Sequence, residues 1–458
     1  MIDTEANTTI TTIEEFIAQI KQWYANDATF KAGFNQAIAG VQTMPSETSP
    51  SVKHDWKNKT IADLCDFFNQ WYVWNPEVET GLEYIQRFSW LYYENPKGLE
   101  FVTTGTGLQM TFLFVEVNAG KMNSAVSIPL VKTWQDALGK TVMDEYVIPT
   151  GGYTSFNEFF SRELKVPRPV SNPSDDSVVV SSADAIVNMI DDNLSITTPI
   201  DVKTQQLNVL ELLANSDLAV KFEGGSAVSC ILMPNVYHRY HSPVAGKVVE
   251  SNQDVAGEYF GIKDFPKLIN GGNVGYGYDY SVFEHFRRGY AIIETEEYGL
   301  VAMIPVGLNT ISSVIFNDPF QDIKLTDTPV AIAKGEEIGY FQYGGSMNIL
   351  LFENGVFPSV RIPQGQIIGT MAPKNPFVGT WKDLNGTIIT VALSSTHPGS
   401  LAVNYGNGRG PFIGISDSTI TPPAIEVNFT DDDGIKTGVT AEYGFEINWN
   451  NGTKWVRQ

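Results

Sequence analysis

Near Gly151–Gly152 the hydrophobic period of the chain changes, and that change limits the fold more than any other feature. Before it, apolar residues recur every three or four positions, as one face of a helix requires; after it they alternate, as strands do. Thr12, with Glu15 three residues on, reads as a capping box, in which hydroxyl and carboxylate satisfy the open N–H groups of a first helical turn. Ile13, Phe16, Ile17 and Ile20 follow on one face. Ile61, Leu64, Cys65 and Phe68 make a second stripe, which runs through Trp71 and Tyr72 to a stop at Pro76. Tyr84, Ile85, Phe88, Leu91 and Tyr92 make a third. Aromatic stripes at helical spacing read as core rather than as a cofactor box, and no chemistry is found in this region.

From about Ser177 the runs VVVSSADAIVNMI, SAVSCILM, AGKVVES and YAIIETEEYGLVAMIPVGL alternate with turn residues, which predicts a mostly antiparallel β region with hairpins. The pattern changes again near Lys374–Asn375. Beyond it Asp-Leu-Asn-Gly, Tyr-Gly-Asn-Gly and Asn-Asn-Gly separate short alternating segments, as hairpin turns do. The expected fold class is therefore α+β. A helical domain is expected over residues 1–150, a central, mostly antiparallel β domain over 151–372, and a small all-β barrel or sandwich over 373–458. A length of 458 residues, about three times that of a typical domain, accommodates this division.

Charge narrows the function classes. Fifty-two acidic residues against 30 basic ones leave a net charge of -22, which argues against nucleic-acid binding and disfavours docking on an anionic membrane. Two cysteines, Cys65 and Cys230, support neither a disulfide framework nor a thiolate metal site. The opening MIDTEANTT is too polar for a secretory signal, and no apolar run reaches the ~18 residues of a spanning helix. A soluble, cytoplasmic protein without stable membrane insertion is expected.

Two of the five histidines, His238 and His241, stand three apart in YHRYHSP. On a helix this spacing makes a metal half-site. Here a strand-like run precedes it, proline and glycine follow, and no third ligand is evident, so no metal is expected. Asp184 in SSADAIV and Ser346 in YGGSMN complete a different set. A serine after Gly344 and Gly345 sits where the backbone is unusually open to close approach, and beside a His–Asp pair it is a candidate nucleophile.

FNEFFSRELKVPRP (156–169), SSADA (181–185), YHRYHSPVAGKV (237–248), VGLNTISSV (306–314) and EIGYFQYGGS (337–346) resemble, in order and spacing, the phosphatidylserine decarboxylase family. The resemblance spans roughly residues 150–371 and implies a pyruvoyl-dependent decarboxylase made as one precursor that cuts itself between Gly345 and Ser346. It further implies that Asp184 and His241 activate the Ser346 hydroxyl for attack on the Gly345 carbonyl. Gly344 and Gly345 form the processing site, and residue 346 becomes a covalent pyruvoyl group that draws electrons through a Schiff base with the substrate amine. His238 is the expected assistant in decarboxylation or reprotonation. The two resulting chains, α and β of one precursor, stay partners, and a homodimer of the processed protein is a further possibility. The family's Ser-Pro-x-Asp-Gly is Ser-Ser-Ala-Asp-Ala here, and Met347 stands where a small hydroxyl residue usually follows the serine.

The helical region and the GGS site look most like the soluble amino-acid-decarboxylating branch, which includes fungal tryptophan decarboxylases. The substrate expected is thus a soluble L-amino acid, aromatic ones favoured. Phosphatidylserine, converted to phosphatidylethanolamine, is one alternative; a non-catalytic ligand-binding protein on the same fold is another. In the last domain Trp381, Trp449 and Trp455 read as core or rim rather than as a sugar site, and Asp431, Asp432 and Asp433 as a hairpin tip lacking calcium-loop spacing.

Overall fold

A computed structural model describes residues 10–44, 53–77, 83–191, 193–196, 208–233, 235–255, 287–308, 314–357, 360, 364, 375–417, 423–432, 434–441 and 446–457. The chain forms two compact units, one of residues 1–42, 56–263 and 275–358, the other of 43–55, 264–274 and 359–458. The helical region and the central sheets thus share the first unit.

Helix α1 (Ile13–Asn26) opens on the expected capping box and buries Ile13, Phe16, Ile17 and Ile20. After α2 (Ala28–Ala39), α3 (Ile61–Val73) opens on a second box, formed by Thr60 and Asp63. It ends at Val73 rather than at Pro76, because the residue before a proline is already driven out of the helical region. The Lys121 ammonium donates to the carbonyls of Tyr72 and Trp74 at that end. In the third stripe, α4 (Glu83–Ser89) covers Tyr84, Ile85 and Phe88, while Leu91 and Tyr92 are buried in the turn that follows. Helices α5 (Pro96–Thr103), α6 (Gly105–Met122), α7 (Ile128–Met143) and the short α8 (Phe156–Phe160) follow. Trp134 of α7 packs with Phe156, Phe159 and Phe160 of α8 and with Tyr343 in one apolar cluster.

The central strands are β1 (Ile186–Asp191), β2 (Ser226–Leu232), β3 (Arg239–His241), β4 (Gly246–Val255), β5 (Arg288–Glu294), β6 (Leu300–Leu308), β7 (Val314–Phe316), β8 (Val330–Ile332), β9 (Glu337–Phe341) and β10 (Gly345–Phe352). They build a seven-stranded sheet in the order β1-β2-β10-β6-β5-β4-β8 and a three-stranded sheet in the order β3-β9-β7. Their pairings are antiparallel, as the hairpin pattern predicts. Leu350 and Phe352 of β10 share a buried cluster with Tyr240, Val314 and Phe341 of the smaller sheet. Side chains two apart on a strand point the same way, so Ser346 and Asn348 face the smaller sheet as well. Strand β10 reads GSMNILLF, the near-continuous apolar run of a strand covered on both faces.

In the second unit β11 (Gly379–Asp383), β12 (Ile388–Leu393), β13 (Leu401–Tyr405), β14 (Phe412–Asp417), β15 (Ala424–Phe429), β16 (Gly434–Ala441), β17 (Glu446–Trp449) and β18 (Lys454–Arg457) close into a barrel. Strand β11 pairs with both β12 and β18, which decides for a barrel over a sandwich. Trp381, Trp449 and Trp455 are buried in its core. Arg409 clamps Asp431 at the β15–β16 tip; Asp433 lies outside the described residues. Among the described residues, no His, Cys, Asp and Glu side chains cluster as a metal site, and no helix is long and apolar enough to cross a membrane.

Candidate active site

Strand β3 and strand β9 run antiparallel, with Arg239 opposite Tyr340 and His241 opposite Glu337. The His238 carbonyl accepts the Phe341 N–H at 2.9 Å. His238 therefore lies at the end of the pair from which the chain continues into Gly344, Gly345 and Ser346, and His241 at the opposite end. At Gly344 the backbone takes φ of 155°, which side-chain-bearing residues rarely adopt. Ser346 then enters the seven-stranded sheet between Leu232 of β2 and Gly307 of β6.

His238 is fully buried and stacks on Phe160, with ring centroids 3.9 Å apart. Neither ring nitrogen has a hydrogen-bond partner of good geometry. Burial, reinforced by the Arg162 charge and only partly opposed by the Val236 carbonyl, pushes its pKa down to about 3. The imidazole is thus neutral at pH 7, with an open lone pair in a dry site. Arg162 is buried too, and its guanidinium donates to the carbonyls of Phe159, Asn235 and Val236. The rings of Tyr146 and Phe159 cover it, 4.2 and 4.9 Å away. It holds the backbone just before His238 in place, and its charge adds to the burial that keeps that ring unprotonated.

His241 is held differently. Its Nδ1 lies 2.9 Å from the Gly335 carbonyl, which can only accept, so Nδ1 carries the proton. Nε2 then accepts from the Tyr237 hydroxyl, 3.0 Å away, and burial keeps that phenol protonated by raising its pKa. The Asp184 carboxylate accepts from Arg168 at 2.8 Å instead of meeting His241. The link between the two segments is Ser182: its carbonyl accepts the His241 N–H at 2.8 Å, and its hydroxyl accepts from Asn348 Nδ2 at 3.3 Å.

Ser346 is 1% exposed and its hydroxyl has no partner. The structure thus buries Ser346, His238, Asn348 and Ser182 and joins the last two by a hydrogen bond. It leaves Asp184 and His241 nearby without a bond between them or to Ser346. Sequence reasoning assigned no role to Arg162, Arg168, Ser182 or Asn348. The first three sit inside the motifs already singled out, and Asn348 is the lone amide in an apolar strand, a costly choice that is itself a signal. Met347 points to the opposite face of β10, where its sulfur accepts from the Ser229 hydroxyl at 3.3 Å.

The phosphatidylserine decarboxylase family profile matches residues 156–371. A phosphatidylserine decarboxylase proenzyme of Fusobacterium nucleatum is 32% identical over 234 residues, 51% of this chain and 71% of that protein. One from Clostridium novyi is 32% identical over 289 residues, covering 61% of this chain and 86% of the relative. Proenzyme 3 of Schizosaccharomyces pombe is 32% identical over 215 residues, 47% of this chain but only 20% of that protein. The fold and the match together define a self-processing lyase. The chain belongs to the phosphatidylserine decarboxylase family. It is accordingly a carboxy-lyase, made as one precursor, whose electron sink is a covalent pyruvoyl group derived from serine. These relatives do not support placement in the tryptophan decarboxylase branch.

Proposed function

We propose that the chain cuts itself between Gly345 and Ser346 and then decarboxylates phosphatidylserine. The observation that carries the first half is the Ser346 hydroxyl, buried and without a partner, two residues after Gly344, whose φ of 155° only glycine readily adopts. An orphaned hydroxyl costs stability, so its presence in a native fold calls for a functional reason. The hydroxyl attacks the Gly345 carbonyl carbon, and an ester replaces the peptide bond. Elimination across Cα–Cβ of residue 346 expels the Gly345 carboxylate, and water then converts the dehydroalanine to a pyruvoyl terminus with loss of ammonia. Because β10 is an interior strand, paired on both edges, the new terminus stays anchored where it forms.

The residues present fit such a group: residue 346 is buried, Gly307 opposite it carries no side chain, and His238 supplies a neutral imidazole. The pyruvoyl group supplies the electron sink that lets carbon dioxide leave. His238, unprotonated at neutral pH, takes a proton from the substrate ammonium and returns it to the carbon that has lost carbon dioxide. Phe160 stacks on that imidazole, and Tyr343 and Phe156 pack beside Phe160, keeping bulk water from it. His241 is the proposed base for cutting, with Asp184 setting the local charge and Tyr237 as the hydroxyl that must release the Nε2 lone pair.

For the substrate, the relatives named above support phosphatidylserine over the free amino acid expected from charge. The net charge of -22 belongs to the whole chain, whereas reaching a lipid headgroup depends only on the face around the site. Intact-mass measurement of fresh protein should give a chain ending at Gly345 and a second, ketone-bearing chain starting at residue 346. Ser346→Ala should give one uncut, inactive chain, and cutting at this bond in that variant would overturn the assignment. Carbon dioxide should come from phosphatidylserine in mixed micelles. Release from L-tryptophan, L-tyrosine or L-phenylalanine, with the lipid inert, would restore the soluble reading.

A further inference from the structure

Asn348 is fully buried, and its amide is only half used. Nδ2 donates to Ser182 at 3.3 Å, while Oδ1 has no partner. Leaving a buried carbonyl unpaired in a strand whose remaining residues from 347 to 352 are Met, Ile, Leu and Phe is destabilising, and apolar replacement would remove the cost. The strand places this amide on the same face as Ser346, two residues and so about 7 Å along. Its cross-strand neighbours are Cys230 and Pro305, neither of which offers a strong donor. Beside Ser346 stands Gly307, and glycine within a strand marks room for something to approach closely. The hydroxyl that orients the amide comes from Ser182, the residue that replaces the proline of Ser-Pro-x-Asp-Gly. The departure in one motif thus supplies the partner for the amide beside another.

We infer that Asn348 is a substrate-contacting residue: Oδ1 accepts an N–H of the primary amine that the substrate brings to residue 346, and Ser182 fixes the amide so that oxygen, not nitrogen, faces the amine. This rests on the reading of Ser346 as the reacting residue. A carbonyl oxygen is an acceptor only, so the group it takes is a donor, and the amine is the donor shared by every substrate of an amine-condensing decarboxylase. The contact orients the nitrogen before bond formation, which is where positioning lowers a barrier.

The test is Asn348→Leu in the full chain, with turnover expressed per ketone-bearing chain and the cut fraction measured separately. Cutting and ketone content should match the parent, and thermal stability should rise because an unpaired buried amide is gone. The kcat/KM for phosphatidylserine should fall roughly 10- to 100-fold, the range for one lost hydrogen bond in a dry site. Asn348→Asp, which keeps an acceptor, should recover most of that loss. A stabilised Asn348→Leu chain whose kcat/KM stays within about twofold of the parent overturns the proposal, since a lost hydrogen bond must cost more. If that variant does not fold, Ser182→Ala decides: it frees the amide to turn without changing the strand, and an unchanged kcat/KM would overturn the proposal equally. Absence of a ketone on the parent's second chain is a different result, which removes the Ser346 reading itself.

Discussion

The central sheets and the barrel each bury a large apolar cluster, yet they treat buried polar atoms in opposite ways. Among the described residues, eight buried side-chain polar atoms lack a partner, and five of them belong to Arg162, His238, Ser346 and Asn348. The barrel holds one, Trp449 Nε1, while Trp381 Nε1 donates to the Phe377 carbonyl at 2.8 Å. Unpaired groups reduce stability wherever they occur. Their concentration around one serine marks the place where stability is given up for reactivity, and the barrel, satisfied throughout most of its core, marks where it is not.

The comparison is tested most severely at the histidines. His238→Ala should leave cutting at least partly intact and lower turnover by roughly 10²- to 10⁴-fold, the usual contribution of a general acid–base group. His241→Ala should block cutting, since an alcohol without a base is a poor nucleophile at neutral pH. Gel analysis of the cut fraction beside a carbon dioxide assay separates the two. Equal loss of cutting in both variants would contradict the division.

Trp381→Ala should do the reverse. Trp381 is fully buried in the barrel, and truncating such a residue costs about 3–5 kcal/mol. Melting of the barrel should shift strongly downward while the cut fraction and turnover per ketone stay unchanged. Loss of cutting in this variant would show that the two units are coupled.

What could be read from the sequence, and what could not, divides along the same line. The stripe of Ile13, Phe16, Ile17 and Ile20 is legible because one period decides both helix and burial. The barrel turns are legible because Asp383 accepts from the N–H groups of Asn385 and Thr387, a local interaction between near neighbours. His238, His241 and Ser346 stand out by residue type. Arg162 does not, and Asn348 stands out only as an amide in an apolar run; that each is buried without a full set of partners is fixed by chain segments far apart in sequence. Nor could sequence show Asp184 against Arg168, a pairing of two loops.

A smaller effect separates the regions by pH. An unfolded chain carries His238 at its ordinary pKa of about 6.5, and the folded site pushes it down to about 3. Between those values the unfolded state binds the additional proton, so stability rises with pH across the window and is lost as pH falls through it. The slope from this one residue is at most about 1.4 kcal/mol per pH unit. The unit holding His238 should lose stability from pH 6.5 to 5, before most carboxylates titrate. His238→Phe should flatten that limb. Melting of the barrel, followed over the same window, is the comparison.

The smallest effect compares two arginines that both stack on aromatic rings. Arg162 is buried over Tyr146 with only carbonyls to hold it. Arg409 lies over Tyr405, 4.7 Å from the ring centre, and donates to both oxygens of Asp431 at 2.8 and 2.9 Å. A third of the Arg409 side chain is open to solvent (35%) and Asp431 more so (41%), so salt and water screen the pair and most of its Coulomb attraction is lost. Arg409→Ala should lower the barrel's melting temperature slightly, and added salt should shrink the difference from the parent. Arg162→Ala, which strips a buried guanidinium from three carbonyls and two rings, should be costly at any ionic strength. A salt-independent loss at Arg409 as large as that of Trp381→Ala would mean that the hairpin tip is part of the barrel's core rather than its solvated edge.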